Sequence, residues 1–430
     1  MEGVVYKKLP KSQASFAVTV SIEELAQAER GALKRLAENL AVKGFRKGKA
    51  PEDIVRQHVG DAGVLEEASR GVIEKKYIEI LKAHEIKPLG HPNIEVKKIA
   101  PGNPLEFTIT TATHPVFALA DYTAIAQKLA KDLMKPVIVE EQEIQDALEW
   151  LQRSRKKEVL VVRPAQKGDK VEVNFETRQA GVKIEGGESR NHPLTIGDNK
   201  FVSGFEEQLI GMQAGEEKKF SITVPKDYAK ENLRGKVLDF TVTMNAVYAV
   251  ELPALDDAFA QAVGKFENME AITMNIKEGL QKEKTETQKE EYHKKLAEEI
   301  ATRSGIEIGD LAVAQEADNM IHEFKHNVEA HGFDFDTYCM NIKKTRDDLL
   351  KDFTKQAEMR LAVMFALAAI AEKESIVPSE EEVEERFQQV ARQRALEGRA
   401  VENSELLRRN VFGMLQNEKV FERITNPTTQ

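Results

Sequence analysis

The 430-residue sequence lacks several features that would direct a chain to a membrane or to an oxidising compartment. It has one cysteine, Cys339, so no disulfide can form within the chain, and a reducing compartment is expected. The first residues, MEGVVYKKLP, contain no apolar run of the kind found in signal peptides. The longest apolar run, LAVMFALAAIA (361–371), has 11 residues, whereas a bilayer span needs about 20. We therefore expect a cytoplasmic protein with no membrane partner.

Basic residues are in the minority, with 62 Lys and Arg against 72 Asp and Glu, for a net charge of −10. They are not evenly distributed. Residues 1–113 contain 18 Lys and Arg and 15 Asp and Glu, a net charge of +3, so the rest of the chain carries −13. A slightly basic first segment on an acidic body is typical of a protein that meets a polyanion only through that segment.

The length predicts two to four domains, and the residue patterns predict a multidomain α+β protein. Residues 1–113 are predicted to form an α+β domain. SFAVTV (15–20) and LEFTITTAT (105–113) alternate apolar and polar residues, as half-buried strands do. Ser21, followed three residues later by Glu24, is the capping-box pattern that begins a helix.

Residues 114–157 are predicted to be a linker, in which an extended, proline-marked stretch leads into a helix at 140–157. Residues 158–248 change to short strands and glycine-containing turns. The alternating segments are KVEVNF (170–175), KFSITV (219–224) and LDFTVTM (238–244). This pattern favours a small antiparallel sheet wrapped on a short helix.

Residues 249–430 are predicted to be all helical. Glycines and prolines divide this part into long amphipathic segments, and Ser379 with Glu382 repeats the capping-box pattern before one of them. Because each apolar stripe is one-sided and the charge density is high, these helices are expected to form arms or a bundle with exposed grooves.

The segment GFRKGKAP (44–51) connects two predicted helices, the second of which begins at Pro51. It resembles a phosphate-binding P-loop only superficially. Gly44 and Gly48 are one residue too close together, and Ala50 stands where Ser or Thr would bind the metal. A P-loop also joins a strand to a helix. The sequence therefore argues against nucleotide binding here.

Two interpretations of this loop remain. It could be an ordinary solvated turn. It could also be a docking loop, in which Phe45 enters a pocket of the partner while Arg46, Lys47 and Lys49 contact phosphates or acidic side chains. An exposed ring at a loop tip gains nothing unless a partner buries it. Phe45 therefore favours a protein–RNA surface as the partner.

His322, Glu323 and His326 match the HExxH pattern of zinc hydrolases. The helical spacing argues against such a site, because both histidines fall opposite an apolar face and should contact water. That face consists of Ala317, Met320, Ile321, Phe324 and Val328. A metal hydrolase remains a rival hypothesis that metal analysis would test.

The strand-rich segment contains more large apolar side chains than so small a sheet can hide, so some of them are candidates for lining a concave pocket. These are Phe175, Ile184, Phe201, Val202, Phe205, Tyr228 and Phe240. A pocket without a nucleophile, metal or cofactor can still catalyse rotation about an X–Pro bond. The twisted transition state has lost much of the amide resonance, so a pocket that excludes water favours it over the planar ground state.

Together these features resemble the trigger factor family of bacterial ribosome-associated chaperones over essentially the whole length. The most specific parts are GFRKGKAP and the FKBP-like segment from about 160 to 248. The resemblance implies a ribosome-binding domain at 1–113, an FKBP-type peptidyl-prolyl isomerase domain at 158–248 and a helical client-binding domain at 249–430. It implies no cofactor, and in particular no use of ATP.

The resemblance also implies site residues. Phe45, Arg46 and Lys47 would contact the ribosome, with Gly44 and Gly48 shaping the loop. The isomerase pocket would consist of a floor, Phe205, surrounded by Phe175, Ile184, Glu185, Phe201, Val202, Tyr228 and Phe240.

Three positions depart from the common FKBP pattern. Glu185 stands where many such domains have aspartate, and Lys230 and His192 stand where aromatic residues are common. Isomerase activity is nevertheless expected, whereas the affinity of the pocket for macrolides is open.

The function expected from the sequence is that of a chaperone that docks near the exit tunnel of the large ribosomal subunit, through its protein and RNA. It would shield nascent and unfolded polypeptides and isomerise X–Pro bonds. An alternative is a holdase whose FKBP-like domain is inactive. A homodimer of the free protein is a further open alternative, and the resemblance also implies links to cell division and the cell cycle.

Overall fold

The computed structural model describes residues 3–39, 45, 50–226, 228, 233–396 and 404–425. The chain divides into two compact units, the first formed by residues 1–135 with 288–430 and the second by residues 136–287. Helices and antiparallel sheets occur together, which confirms the predicted multidomain α+β class. The four segments predicted from the sequence have boundaries that do not coincide with those of these two units. The predicted segment boundaries therefore stay a prediction.

The first unit begins with a four-stranded antiparallel sheet. Its strands are β1 (Val4–Leu9), β2 (Gln13–Val20), β3 (Pro88–Lys98) and β4 (Leu105–Thr113), in the order β1-β2-β4-β3. The alternation in β2 directs Phe16, Val18 and Val20 into the core, where each is at most 2% exposed. The two strands predicted from alternation are β2 and β4, which lie in the middle of the sheet. The edge strands β1 and β3 were not predicted.

Two helices cover this sheet, α1 (Ile22–Asn39) and α2 (Glu52–Ala83). The Ser21 hydroxyl accepts a hydrogen bond from the Glu24 N–H at 3.2 Å, as the capping pattern predicted. Within α2, Gly60 has φ 80° and ψ 157°, so the element is two helical segments joined at a sharp break. The predicted end of α1 at Gly44 lies outside the described residues.

Residues 114–121 have no regular secondary structure, and the next stretch forms α3 (Tyr122–Leu133), where the sequence analysis predicted an extended chain. The Asp121 carboxylate caps this helix by accepting from the Ala124 N–H at 3.0 Å. Tyr122, Ile125 and Ala126 are buried against the later helices of the same unit. The extended prediction was therefore wrong for these twelve residues.

The second unit contains α4 (Glu141–Ser154), a five-stranded antiparallel sheet, α5 (Asp257–Val263) and the first part of α6 (Met269–Arg303). The strands, in chain order, are β5 (Lys157–Leu160), β6 (Lys170–Gln179), β7 (Val182–Thr195), β8 (Glu217–Thr223) and β9 (Val237–Glu251). Their order is β5-β9-β6-β7, and β8 also pairs with β9. The 3-10 turn Glu206–Leu209 is the short helix that the sheet encloses.

The remaining helices belong to the first unit: α7 (Asp310–Ala330), α8 (Phe335–Asn341), α9 (Arg346–Lys373), α10 (Glu380–Leu396) and α11 (Ser404–Thr425). Ser379 and Glu382 exchange side-chain-to-backbone hydrogen bonds of 2.8 and 3.2 Å, which confirms the second capping box. Across the described residues, no helix combines the length and the apolar character that crossing a bilayer requires.

Candidate functional site

Several aromatic side chains of the second unit meet in one cluster between the sheet and the 3-10 turn. It contains seven of the eight side chains predicted for the pocket: Phe175, Ile184, Phe201, Val202, Phe205, Tyr228 and Phe240. They come from strands β6, β7 and β9, from the loop that leads into the turn and, for Tyr228, from the connection between β8 and β9. The eighth residue, Glu185, lies in β7, but its side chain is outside the described part of the structure.

Burial is graded across the cluster. Phe205 is fully buried, and Phe240 and Val202 are 3% and 7% exposed. Phe175 and Phe201 are half-buried, as are Ile184 and Tyr228. A buried inner layer with partly exposed side chains around it is the arrangement that a shallow apolar site requires.

Phe205 is at the centre of the ring contacts. Its centroid lies 4.3 Å from that of Phe201, with which it is stacked, and 5.1 Å from that of Phe240, which it meets edge-on. Phe175 approaches Phe205 edge-on at 6.1 Å. Stacked and edge-to-face pairs at these distances are favourable beyond simple area burial. The rings therefore hold one another in defined orientations.

The sheet register explains why these rings converge. Phe175 on β6 lies opposite Val242 on β9, and Thr177 lies opposite Phe240, so all four side chains share one face of the sheet. Phe240 also lies opposite Phe220 on β8, with the two rings stacked at 5.6 Å. Cross-strand aromatic pairs of this kind stabilise the sheet and the site together.

Phe220 was not among the predicted site residues, although a signal for it exists in the sequence. It occupies the same alternating face of KFSITV as Ile222 and Val224, which are buried. Its partner on β9 could not be identified without the register.

His192 belongs to the cluster, although it replaces a common aromatic residue. Its ring meets Phe175 edge-on at 5.5 Å and Phe201 edge-on at 5.6 Å. Lys230, the other departure that replaces an aromatic residue, lies outside the described residues. The partly exposed side of the cluster thus includes His192 together with Phe175 and Phe201.

A partly buried ion pair between Arg163 and Asp169 stabilises the start of β6. Arg163 donates two hydrogen bonds to Asp169, at 2.7 and 3.0 Å, and the Gln166 N–H donates a third at 2.8 Å. Burial alone would raise the pKa of Asp169, but these donors hold it below its usual value. The pair is a structural support, because neither residue belongs to the aromatic cluster.

The second predicted site is only partly described. Phe45 is 42% exposed, so its ring is accessible to a partner. Gly44, Arg46, Lys47 and Gly48 lie outside the described residues.

The HExxH segment lies on α7, and the predicted orientation is confirmed. His322 and His326 are exposed, whereas Ile321 on the opposite side is 5% exposed. Glu323, which would be the general base of a zinc hydrolase, accepts hydrogen bonds of 2.9 and 3.2 Å from Arg360. Among the described residues, no group of three or more His, Cys, Asp and Glu side chains is placed to hold a metal ion.

Three known protein families match successive parts of the chain. Residues 1–151 match the family described as bacterial trigger factor protein, and residues 268–426 match the family of its C-terminus. Residues 162–252, which include the aromatic cluster, match the FKBP-type peptidyl-prolyl cis–trans isomerase family.

Curated relatives extend over most of the chain. Trigger factor of Carboxydothermus hydrogenoformans is 31% identical over 389 residues, which cover 90% of each chain. Trigger factor of Caldanaerobacter subterraneus subsp. tengcongensis is 32% identical over 90% of this chain and 89% of its own. A solved structure from a study of substrate recognition by the trigger factor chaperone aligns over 99% of both chains, with 21% identity and a TM-score of 0.43.

The fold and the site thus define a multidomain α+β protein that carries an FKBP-type domain. The matches across both ends of the chain narrow this class further. The chain belongs to the bacterial trigger factor family.

Proposed function

We propose that this protein is an ATP-independent chaperone that docks at the ribosomal exit tunnel, shields nascent chains and isomerises X–Pro bonds. The observation that carries the isomerase part is the aromatic cluster around Phe205, which lies in the segment that matches FKBP-type isomerases. The functional segments that we propose are ribosome binding at 1–113, a linker at 114–157, the isomerase at 158–248 and client binding at 249–430.

The isomerase would act by burial and orientation. The planar amide resists rotation by about 18–20 kcal/mol because of its resonance. Phe205 would form the buried floor that supports the half-buried rings, while Phe175, Phe201 and Tyr228 contact the proline ring and exclude water around the bond. The twisted amide is less polar than the planar one, so this surface stabilises the transition state more than the ground state. Glu185 is proposed to line the same pocket on the resemblance alone.

An assay with a proline-containing peptide tests this function. Phe205→Ala should lower kcat/KM at least about tenfold, because the floor of the site is lost. Since Phe205 is fully buried, that variant also loses about 3–5 kcal/mol of folding free energy. Phe201→Leu is therefore the second variant, because Phe201 is half-buried and its ring can be removed with less damage to the core.

Phe266→Leu is the matched control, because Phe266 is also half-buried in the second unit but packs in a different apolar cluster. Its kcat/KM should stay within about twofold of the wild type. A wild-type rate equal to the uncatalysed background would support the alternative, a holdase with an inactive FKBP-like domain.

Ribosome docking is proposed for the loop at 44–48. The exposed ring of Phe45 would enter a pocket of the ribosome, while Arg46 and Lys47 contact phosphates or acidic side chains. Such contacts release counterions, so the affinity should fall steeply with added salt.

Co-sedimentation with ribosomes at low and raised salt tests the docking. The triple variant Phe45→Ala/Arg46→Ala/Lys47→Ala should remain in the supernatant. Lys97→Ala/Lys98→Ala removes two exposed charges from the same segment and should still bind. Equal binding by the triple variant and the wild type would mean that the loop is an ordinary turn.

The remaining expectations are part of the same proposal. The single cysteine supports a reducing, cytoplasmic location. A homodimer of the free protein, and links to cell division and the cell cycle, stay predictions.

A further inference from the structure

Glu206 is a buried carboxylate directly beneath the aromatic cluster. It follows Phe205 in the sequence and is the first residue of the 3-10 turn, and only 3% of it is exposed. A carboxylate in such a position is costly unless several hydrogen-bond donors surround it. The hydrogen-bond donors around Glu206 therefore indicate its structural role.

Four backbone N–H groups donate to this carboxylate. Oε2 accepts from Gly197 at 2.8 Å and from Asn199 at 2.9 Å. Oε1 accepts from Lys200 at 3.0 Å and from Phe201 at 3.3 Å. All four donors lie within the five-residue segment 197–201, which follows β7. One side chain thus binds nearly the whole segment.

The backbone of segment 197–201 is folded so that its donors point inward. Gly197 has φ 105° and Asn199 has φ 52°, both in the left-handed region that glycine and asparagine tolerate best. Successive N–H groups around such residues form a concavity that binds anions. Here the anion is supplied by the chain itself, from Glu206.

The last donor connects this concavity to the proposed isomerase site. The Phe201 ring stacks on Phe205 with 4.3 Å between centroids and an interplanar angle of 29°. Glu206 is bonded covalently to Phe205 and by a hydrogen bond to the backbone of Phe201. The carboxylate therefore holds the two rings at a fixed separation. If segment 197–201 were released, Phe201 and the adjacent Val202 would move relative to the floor.

We propose that Glu206 is a positioning residue for the isomerase site, which holds Phe201 over Phe205 through its hydrogen bonds to segment 197–201. The proposal rests on the isomerase function proposed above. Glu206 acts through Phe201 and is buried away from the substrate. In Glu206→Gln the new amide group would point its own donors at backbone donors, so that part of the segment would lose its acceptor.

Activity provides the first test. Glu206→Gln should lower kcat/KM for a proline-containing peptide at least about tenfold, at a temperature at which circular dichroism shows a folded protein. Asp169→Asn is the matched control: it also neutralises a buried carboxylate that accepts a backbone N–H in the same unit, but its partners are Arg163 and Gln166. Its kcat/KM should change less than about twofold. Equal losses in the two variants would overturn the proposal.

A double variant provides the second test. If Glu206 acts through Phe201, then Glu206→Gln/Phe201→Leu should be no slower than the slower of the two single variants. Effects that multiply would mean that Glu206 acts on the site by another route, and the proposal would be wrong.

Amide hydrogen exchange provides a test that does not depend on catalysis. In the wild type the amides of Gly197, Asn199, Lys200 and Phe201 should be protected, and in Glu206→Gln they should exchange at least about tenfold faster. Unchanged exchange would overturn the positioning role. A wild-type protein without isomerase activity would contradict the proposed function, and the exchange rates would still decide whether Glu206 positions Phe201.

Discussion

The side-chain amide of Gln315 on α7 binds both backbone polar groups of His91 on β3. Its Oε1 accepts from the His91 N–H at 2.9 Å, and its Nε2 donates to the His91 carbonyl at 2.6 Å. His91 lies in the irregular stretch between Leu89 and Asn93, where the pairing of β3 with β4 shifts register. The Gln315 amide thus makes the two hydrogen bonds that the backbone of a neighbouring strand would otherwise make with His91. Gly90 allows this approach, because a Cβ there would lie 2.1 Å from the Gln315 oxygen.

Gln315→Ala should destabilise the first unit by about 1–2 kcal/mol, because two hydrogen bonds that join α7 to the sheet are lost. The measurement is the free energy of unfolding in denaturant. Asn319→Ala is the control, since Asn319 is an exposed amide on the same helix that donates a hydrogen bond to Glu316 of its own turn. Equal stability of the two variants would contradict the role assigned to Gln315.

Gly60→Ala should destabilise the protein by about 1–3 kcal/mol, because its backbone conformation is accessible almost only to glycine. A Cβ at Gly60 would meet no atom within 4 Å, so the cost would come from the backbone alone. Gly31→Ala is the control, and it should change the folding stability in the opposite direction. Gly31 is inside α1, and the same change there should stabilise by about 0.5–1 kcal/mol. If both variants shifted the unfolding midpoint in the same direction, the assigned strain at Gly60 would be wrong.

The packing of α10 on α11 should weaken in acid. The Lys419 ammonium, 2.6 Å away, and the Ser379 N–H together lower the pKa of Glu382 to about 2. A carboxyl whose pKa is lower in the folded state stabilises that state above its unfolded pKa of about 4.3 and loses this effect as the pH falls towards 2. Hydrogen exchange of α10 between these pH values should therefore show less pH dependence in Glu382→Gln than in the wild type. Glu381→Gln, a neighbouring exposed position, should leave the wild-type dependence in place.

Purified protein should contain zinc well below one equivalent per chain, because His322 and His326 are exposed and Glu323 is paired with Arg360. Elemental analysis after dialysis against a weak chelator measures this. One equivalent of zinc that disappears in His326→Ala would restore the metal-hydrolase hypothesis.

The elements predicted correctly from the sequence are those with strong local signals. Strands β2, β4, β6, β8 and β9 alternate clearly, and the helices after Ser21 and Ser379 begin with capping residues whose hydrogen bonds are present in the structure. The strands that were not predicted, β1, β3, β5 and β7, are largely exposed, so their apolar residues do not alternate with a clear period. Helix α3 was not predicted because its apolar face is short. The burial of that face depends on contacts with the later helices, which the local sequence does not show.

By itself, the sequence determined those strands and helices whose alternation or capping is clear, because periodicity and capping act between residues a few positions apart. With the family resemblance it also indicated most of the aromatic site. Only the tertiary structure decided that Phe220 pairs with Phe240, that Gln315 binds His91, and that Glu206 binds the segment that carries Phe201. The first contact depends on the register between β8 and β9. The third depends on a turn with left-handed residues and on the burial of the Glu206 charge. Such features depend on how distant parts of the chain pack, and no local pattern specifies them.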